Sequence, residues 1–460
     1  MKAETSAAPD PVTLEEMLSA RDRRWELQET LLQAHGKTLL SYTLNIAGPQ
    51  KRYDLADQCF FEGRRLIERQ FLRDKLCPLD AVFTDEKTGF ALIWVIDSPP
   101  RELKAKMGAI EEGHPLGRVF DIDVIAADGR RVSREEIGLP QRACVVCGAP
   151  GAGCARSRAH PHEEVAAGLD RLMAAYFDQK YVDLVAKNAV RALLYEVAVT
   201  PKPGLVDRAN SGAHSDMDFF DFIDSAAALS AYFRDMAATG LQSRGDSPGD
   251  LLPRLRFRGI CAEDEMFAAT GGVNTHKGLI FSLGTLSAAY GWHGARYPAA
   301  EAVLRTAGEI AAPALSGDLR GITQENAVTH GELIFAKYGL AGIRREAAAG
   351  FPAVRKLGLP RLRAGTASGL SLNDAGALAL LSFLAETTDT NIISRAGLEK
   401  LEEIQAALTG FLESGPGDSE ALAHAACLDR AFIREHISPG GCADLLALTF
   451  MAYFMERERD

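Results

Sequence analysis

The sequence predicts a multi-domain protein: an N-terminal α/β (α+β) domain followed by an all-α domain. Three observations carry this. In the first third of the chain, short apolar runs of strand length alternate with amphipathic helical stretches. From Val182 onward no convincing period-2 segment occurs, while Ala-rich helical periodicity recurs in Asp183–Val197, Phe219–Ala238, Gly278–Ala289 and Asp374–Ala385. Between the two regimes, Gly148–Pro161 (GAPGAGCARSRAHP) is small, polar and broken, which sets the domains at 13–178 and 179–460.

Each element follows from its local chemistry. Residues 1–12 read as a mobile tail, and Thr13-Leu14-Glu15-Glu16 is a capping box opening a helix to about Ala34. Leu39–Ile46 has strand character and stops at Gly48-Pro49; Leu55–Phe71 is an amphipathic helix. Phe90–Ile96 (FALIWVI) is a buried strand broken by Pro99-Pro100, with a helix around Glu102–Glu111 after it. Val119–Ala126 is the next strand, closed by Asp128-Gly129.

Composition narrows the function. A net charge of −11 argues against a general nucleic-acid binder, whose affinity rests on neutralising phosphates. The N-terminus shows no apolar signal region, and the runs Ala375–Ala385 and Ala443–Met455 fall short of the roughly 20 residues that span a bilayer. Eight cysteines scattered over 460 residues read as reduced thiols, so a cytoplasmic location is expected.

The chemistry-bearing stretches lie in loops and on one strand. In Phe120-Asp-Ile-Asp-Val124, alternation puts Asp121 and Asp123 on one face about 7 Å apart, a common staging for Mg²⁺-dependent nucleotidyl transfer, with Arg118 and Lys51 as cations for phosphate. Thr200-Pro201-Lys202-Pro203-Gly204 cannot continue a helix, so the chain runs as a loop carrying Lys202, Gly204, Asp207, Arg208, Asn210 and His214. A helix is expected from Ser215, bearing Asp216, Asp218, Asp221 and Asp224. Four like charges in three turns repel one another, a conflict that a bound Mg²⁺ at Asp216 and Asp218 would remove.

A second loop, Thr270-Gly271-Gly272-Val273-Asn274-Thr275-His276-Lys277-Gly278, is not a Walker A loop, because no glycine directly precedes the lysine and no strand precedes the loop. It would offer free N–H groups, His276 and Lys277 to a phosphate at a helix start. Asp389 and Asn391 end an apolar helix, and Asp444 follows the turn Ser438-Pro-Gly-Gly-Cys442. Glu196 and Glu265 are reserve carboxylates beside the two loops. Cys144-x2-Cys147-x6-Cys154, with His160 and His162 behind it, has zinc-ligand character but lacks a second Cys-x2-Cys pair.

The blocks VTPKPGLVDRANSGAHSDMD, TGGVNTHKG, DTN and SPGG-C-ADLLA resemble the triphosphoribosyl-dephospho-CoA synthases over about 180–460. Cys442 stands where that pattern usually has a small residue such as serine. The blocks TLNIAGP-QK, GRVFDIDVI, SRE-EIGLP and RAC-VVC…CARSRAH resemble the apo-citrate lyase phosphoribosyl-dephospho-CoA transferases over about 13–178. The resemblance implies a nucleotidyltransferase-like first domain and two successive steps. ATP and dephospho-CoA would give triphosphoribosyl-dephospho-CoA and adenine; phosphoribosyl-dephospho-CoA would then pass to a serine of the citrate lyase acyl carrier (gamma) subunit, releasing pyrophosphate. Under that reading Lys202, Arg208 and Lys277 hold phosphate, Asp207, Asp216 and Asp218 supply metal ligands and base, and His214 and His276 donate or orient. An ADP-ribose-type glycohydrolase and a non-catalytic carrier-binding scaffold with structural zinc are the rival readings.

Overall fold

Strand and helix boundaries follow the apolar spacing closely where that spacing is strong. In this computed structural model, residues 11–294, 298–318 and 320–458 are described. The expected tail at 1–10 lies outside them. The chain divides into two compact units, Met1–Phe177 and Asp178–Asp460. No helix among the described residues is long and apolar enough to cross a membrane.

The first unit is built on one sheet. Its strands are β1 (Thr38–Leu44), β2 (Asp80–Glu86), β3 (Gly89–Ile96) and β4 (Phe120–Ile125), in the order β2-β3-β1-β4 with every pairing antiparallel. The unit is therefore α+β rather than parallel α/β. β2 escaped the sequence reading because DAVFTDE is an edge strand with mostly exposed side chains and no apolar run.

One sheet face buries Leu40, Tyr42, Trp94, Phe120, Ile122 and Val124 against Phe60, Ile67, Leu103 and Met107 of helices Asp54–Asp74 and Pro100–Gly113. The helix His162–Ala198 adds Leu169, Met173 and Phe177 to that core. Gly63 lets Tyr42 approach: a Cβ there would lie 2.0 Å from the phenol oxygen. The other face packs Leu39, Ile93, Val95 and Ile125 on Leu31 and Leu32 of the helix Leu14–His35, which starts at the expected capping box of Thr13 and Glu16. Thr43 lies opposite Asp121 and Ser41 opposite Asp123, so both acids share the face covered by this helix.

In the second unit every regular element among the described residues is helical. Three helices run as near-continuous apolar cylinders, Lys277–His293, Leu372–Glu386 and Gly440–Arg457, and their buried faces form most of one core. A helix apolar on all sides belongs at the centre of a bundle. Both Lys277–His293 and Gly440–Arg457 begin in the glycine-bearing stretches 270–278 and 438–442.

Candidate active sites

The 200–214 loop is held by its own carboxylates and amides. Asp207 is buried and accepts from the backbone N–H groups of Lys202 (3.2 Å), Ala209 (2.7 Å) and Asn210 (3.1 Å). The Asn210 amide accepts from Gly212 N–H and donates to Asp429, whose other oxygen accepts from Gly204 N–H at 3.0 Å. Gly204, at φ +68°, sits so close to the Ile437 carbonyl that a Cβ would lie 2.1 Å from that oxygen. Asp207, Asn210 and Gly204 thus shape the loop. Arg208 turns away to Asn373 (2.8 Å) and Thr200.

What the loop presents inward is Lys202. Its ammonium is 1% exposed and bound to Glu196 at 2.5 Å. Around this pair opens a cavity of about 580 Å³ that also takes in His214, Asp216, Asn274, Thr275, His276, Lys277, Gly278, Asp389, Asn391 and Asp444. Both lysine-bearing loops therefore reach one space. Lys277 stands at its rim, paired with Glu263 at 2.8 Å. Glu265, on the same helix, is exposed and does not line the cavity.

Charge inside the cavity is unbalanced toward acid. Burial raises the Glu196, Asp389 and Asp444 carboxyls above the usual carboxylate range; Asp444 is pushed further by Glu196 and Asp389, against which Lys202 is the buried cation. Asp389 is largely satisfied: it caps the helix Thr390–Ala396 through Asn391 and Ile392 N–H and accepts from Cys442 N–H at 2.9 Å. Asp444 has no hydrogen-bond partner among the described residues. It lies against the first turn of Lys277–His293, where a Cβ on Gly278 would fall 2.3 Å from its Oδ2. A carboxylate left unsatisfied beside two others is a donor set suited to a hard divalent cation, and Mg²⁺ takes only one or two protein carboxylates.

The two histidines are neutral for one reason, desolvation. His276 is pushed down to about 3 by burial and then by Lys202. Its Nδ1 meets Ser225 Oγ at 2.6 Å, Phe222 packs edge-on against the ring, and Nε2 is buried without a partner among the described residues. The Thr275 hydroxyl is likewise buried and has no partner among the described residues. His214 is lowered by burial and by Arg395; its Nε2 meets Ser438 Oγ at 2.8 Å, and its Nδ1 faces Asp216 at 3.7 Å.

Several expectations change. The helix starts at Phe219 rather than Ser215, because Asp218 and Asp221 form a capping box. The Asp218 carboxylate is occupied by Phe220 and Asp221 N–H and does not line the cavity, whereas Asp216 does, at the exposed mouth. Gly271 and Gly272 make the turn with φ +63° and +96°, outside the lining. Ser438, Arg395, His330 and Glu346 join the lining, and of these Arg395 and Glu346 sit in helices with no sequence signal to mark them.

In the first unit, a cleft of about 380 Å³ lies along the acid-bearing sheet face. Asp121, Thr43, Lys51, Arg52, Arg21 and Arg24 line it. Thr43 Oγ1 donates to Asp121 at 3.3 Å, while Asp123 pairs with Arg131 at 3.0 Å and is raised by burial and by Asp121. Burial lowers Arg24, offset in part by Asp121 and Asp123. Arg118 is elsewhere: it donates to the Ala143 carbonyl at 2.6 Å and borders a shallow surface with Arg134 and Arg142. Arg21, Arg24 and Arg52 escaped the sequence reading because only tertiary packing brings them to the sheet.

Two spaces, one in each unit and each joining acids to cations, define a protein with two sites suited to anionic, phosphate-bearing ligands. Residues 183–460 match the family model CitG, ATP:dephospho-CoA triphosphoribosyl transferase, and residues 12–176 match CitX, apo-citrate lyase phosphoribosyl-dephospho-CoA transferase. "Protein CitXG" of Haemophilus influenzae is 32% identical over 452 residues, 95% of each chain. "Protein CitXG" of Leuconostoc mesenteroides subsp. cremoris is 32% identical over 95% of this chain and 96% of its own. The 2-(5''-triphosphoribosyl)-3'-dephosphocoenzyme-A synthase of Pectobacterium atrosepticum is 39% identical over 302 residues, 65% of this chain and 98% of its own. The chain belongs to both families, joined in one polypeptide, and is a transferase of citrate lyase prosthetic-group biosynthesis and attachment.

Proposed function

We propose that residues 179–460 join ATP to dephospho-CoA with release of adenine, and that residues 13–178 transfer the phosphoribosyl-dephospho-CoA so made to a serine of the citrate lyase acyl carrier (gamma) subunit, with release of pyrophosphate. The observation that carries the first step is the shared cavity of the Lys202 and Lys277 loops. It supports a triphosphate seat at the N-termini of Lys277–His293 and Gly440–Arg457, where free N–H groups and the helix dipole favour anions. Lys277 and Arg395 supply cations at its rim.

Asp444, with Glu196 and Asp216 near the same space, is the group we assign to Mg²⁺. A bound Mg²⁺ would neutralise triphosphate charge. The N-glycosidic bond breaks with oxocarbenium character, by analogy with glycoside cleavage. The attacking hydroxyl of dephospho-CoA gives its proton to His214, kept neutral by burial and set by Ser438, and that proton passes on to the ring nitrogen of the departing adenine. His276 orients: with Nδ1 accepting from Ser225, Nε2 carries the hydrogen and donates into the cavity. Lys202, locked to Glu196, contributes field rather than a free hand.

In the first unit, a nucleotidyltransferase-like reading rests on Asp121 and Asp123 as the Mg²⁺ pair, with Lys51, Arg21 and Arg24 as phosphate partners. Positioning and electrostatics dominate such transfers. The enzyme is expected in the cytoplasm, with no nucleic-acid or membrane partner.

Incubation with ATP, dephospho-CoA and Mg²⁺ tests the reading: adenine should appear only when both substrates are present. Lys277→Ala and Asp444→Asn should each lower its release by about two orders of magnitude, the size of losing a positioned electrostatic group. Asp121→Asn should abolish carrier loading and spare adenine release. Adenine or ribose freed from ATP alone would mark a glycohydrolase instead.

A further inference from the structure

Residues 142–164 of the first unit carry a cluster that neither transfer step uses. Ala143 and Pro150 form an isolated antiparallel bridge, and the chain turns tightly between them. Gly148 N–H donates to Cys144 O at 2.9 Å and Cys144 N–H to Ala149 O at 2.7 Å, with Gly148 at φ +74°. The turn brings Cys144 and Cys147 together. The short helix Gly151–Ser157 adds Cys154, and His160 follows. One ligand atom from each of Cys144, Cys147, Cys154 and His160 lies within 4.8 Å of all the others. His162, also considered from sequence, opens the next helix with an exposed side chain and is outside the set.

We propose that Cys144, Cys147, Cys154 and His160 form a structural zinc site of the Cys₃His type. The Cys147 and Cys154 sulfurs are 3.5 Å apart. A disulfide would need about 2.05 Å, and all eight cysteines are free. A tetrahedron with Zn–S bonds of about 2.3 Å has edges of about 3.8 Å, close to the observed separation. His160 gives a second sign: its Nε2 is buried with no partner of good hydrogen-bond geometry among the described residues, the Cys147 thiol being the group that bears on the ring, while its Nδ1 faces the Glu164 carboxylate at 3.4 Å. That is the carboxylate–histidine–metal arrangement, in which the acid fixes the tautomer and leaves Nε2 for the ion. Four protein ligands close the sphere, so the role is structural.

The site has something to hold. Arg118 donates to the Ala143 carbonyl at 2.6 Å and Arg142 to the Phe120 carbonyl at 2.7 Å, tying this segment to the strand that bears Asp121. The segment itself buries little apolar surface, Cys144 being the one buried hydrophobic residue between 133 and 161 among those described. A metal staple supplies what such a segment lacks in core.

Full-length protein purified reduced, from zinc-replete medium and without chelator, provides the test. Elemental analysis should give about one zinc per chain. Cys147→Ser, a change at an exposed position, should lower it at least tenfold, while Cys77→Ser, at another exposed thiol, should not. Glu164→Ala should keep the zinc but weaken it roughly 10–100-fold against a competing chelator. Cobalt-grown wild type should show thiolate-to-cobalt charge transfer and the intense visible bands of tetrahedral Co²⁺, which decides the matter even where a variant fails to fold. Wild type with under a tenth of an equivalent of zinc, Cys147→Ser retaining the full amount, or a weak octahedral cobalt spectrum would each overturn the site.

Discussion

Asp216 and Asp218 stand two residues apart, yet the structure gives their carboxylates different surroundings. Asp218 accepts two N–H groups as an N-cap, and Asp216 faces His214 at the cavity mouth. Asp218→Ala should therefore cost about 1 kcal/mol of stability and change the adenine-release rate by less than about twofold at saturating Mg²⁺; a large drop in rate with unchanged unfolding would return it to the metal site. His276 gives a pH prediction. Its imidazole sits at about 3 when folded, against roughly 6.5 unfolded. The unfolded chain then binds the extra proton, so this contribution is whole above about 6.5 and is lost as pH falls toward 3. It amounts to roughly 4–5 kcal/mol at most. The raised carboxyls of Glu196, Asp389 and Asp444 act oppositely, costing stability at neutral pH and less so on acidification. His276→Asn removes only the first effect, so the urea midpoint of the variant should gain on wild type from about pH 7 to 5. A gap independent of pH would mean that the imidazole is not buried neutral.

At the scale of elements, the 200–214 loop has no regular structure and is nonetheless tightly specified. Asp207, Asn210 and Asp429 give it five backbone N–H bonds and a side-chain clasp, and Gly204 lets it pass the Ile437 carbonyl. Gly204→Ala meets a left-handed φ, worth roughly 1–2 kcal/mol alone, plus a contact that cannot relax without moving backbone. The expected result is a clear loss of thermal stability together with weakened adenine release, since the loop delivers Lys202. An unchanged melting temperature would show that the loop is looser than its hydrogen bonds imply. The buried Lys202–Glu196 pair sets a similar limit: truncating one partner leaves the other charged and buried, at about 3–5 kcal/mol.

For the whole molecule, each unit has its own core and its own acid-lined space. If each carries one step and the intermediate is free to diffuse, an equimolar mixture of Asp121→Asn and Asp444→Asn should load the carrier although neither variant does so alone. Failure of the mixture, with each variant retaining its other activity, would point to an intermediate that never leaves its chain. Such a readout needs ATP radiolabelled in its ribose, dephospho-CoA, Mg²⁺ and the carrier protein.

Much was legible in sequence because its causes are local. Apolar segments of strand length placed β1, β3 and β4, the Thr13 capping box placed the first helix, and Pro/Gly chemistry placed both loops. Side-chain direction and partnership were not legible. The edge strand β2 carries no apolar pattern, and a capping box at Asp218 competes with a metal reading that uses the same residues. The sequence alone determined the families, the two regimes of secondary structure and the loops where chemistry lies. Only the tertiary structure decided that Asp207, Arg208 and Asn210 shape a loop while Glu196 and Asp444 face the cavity, because burial and pairing depend on residues far apart along the chain.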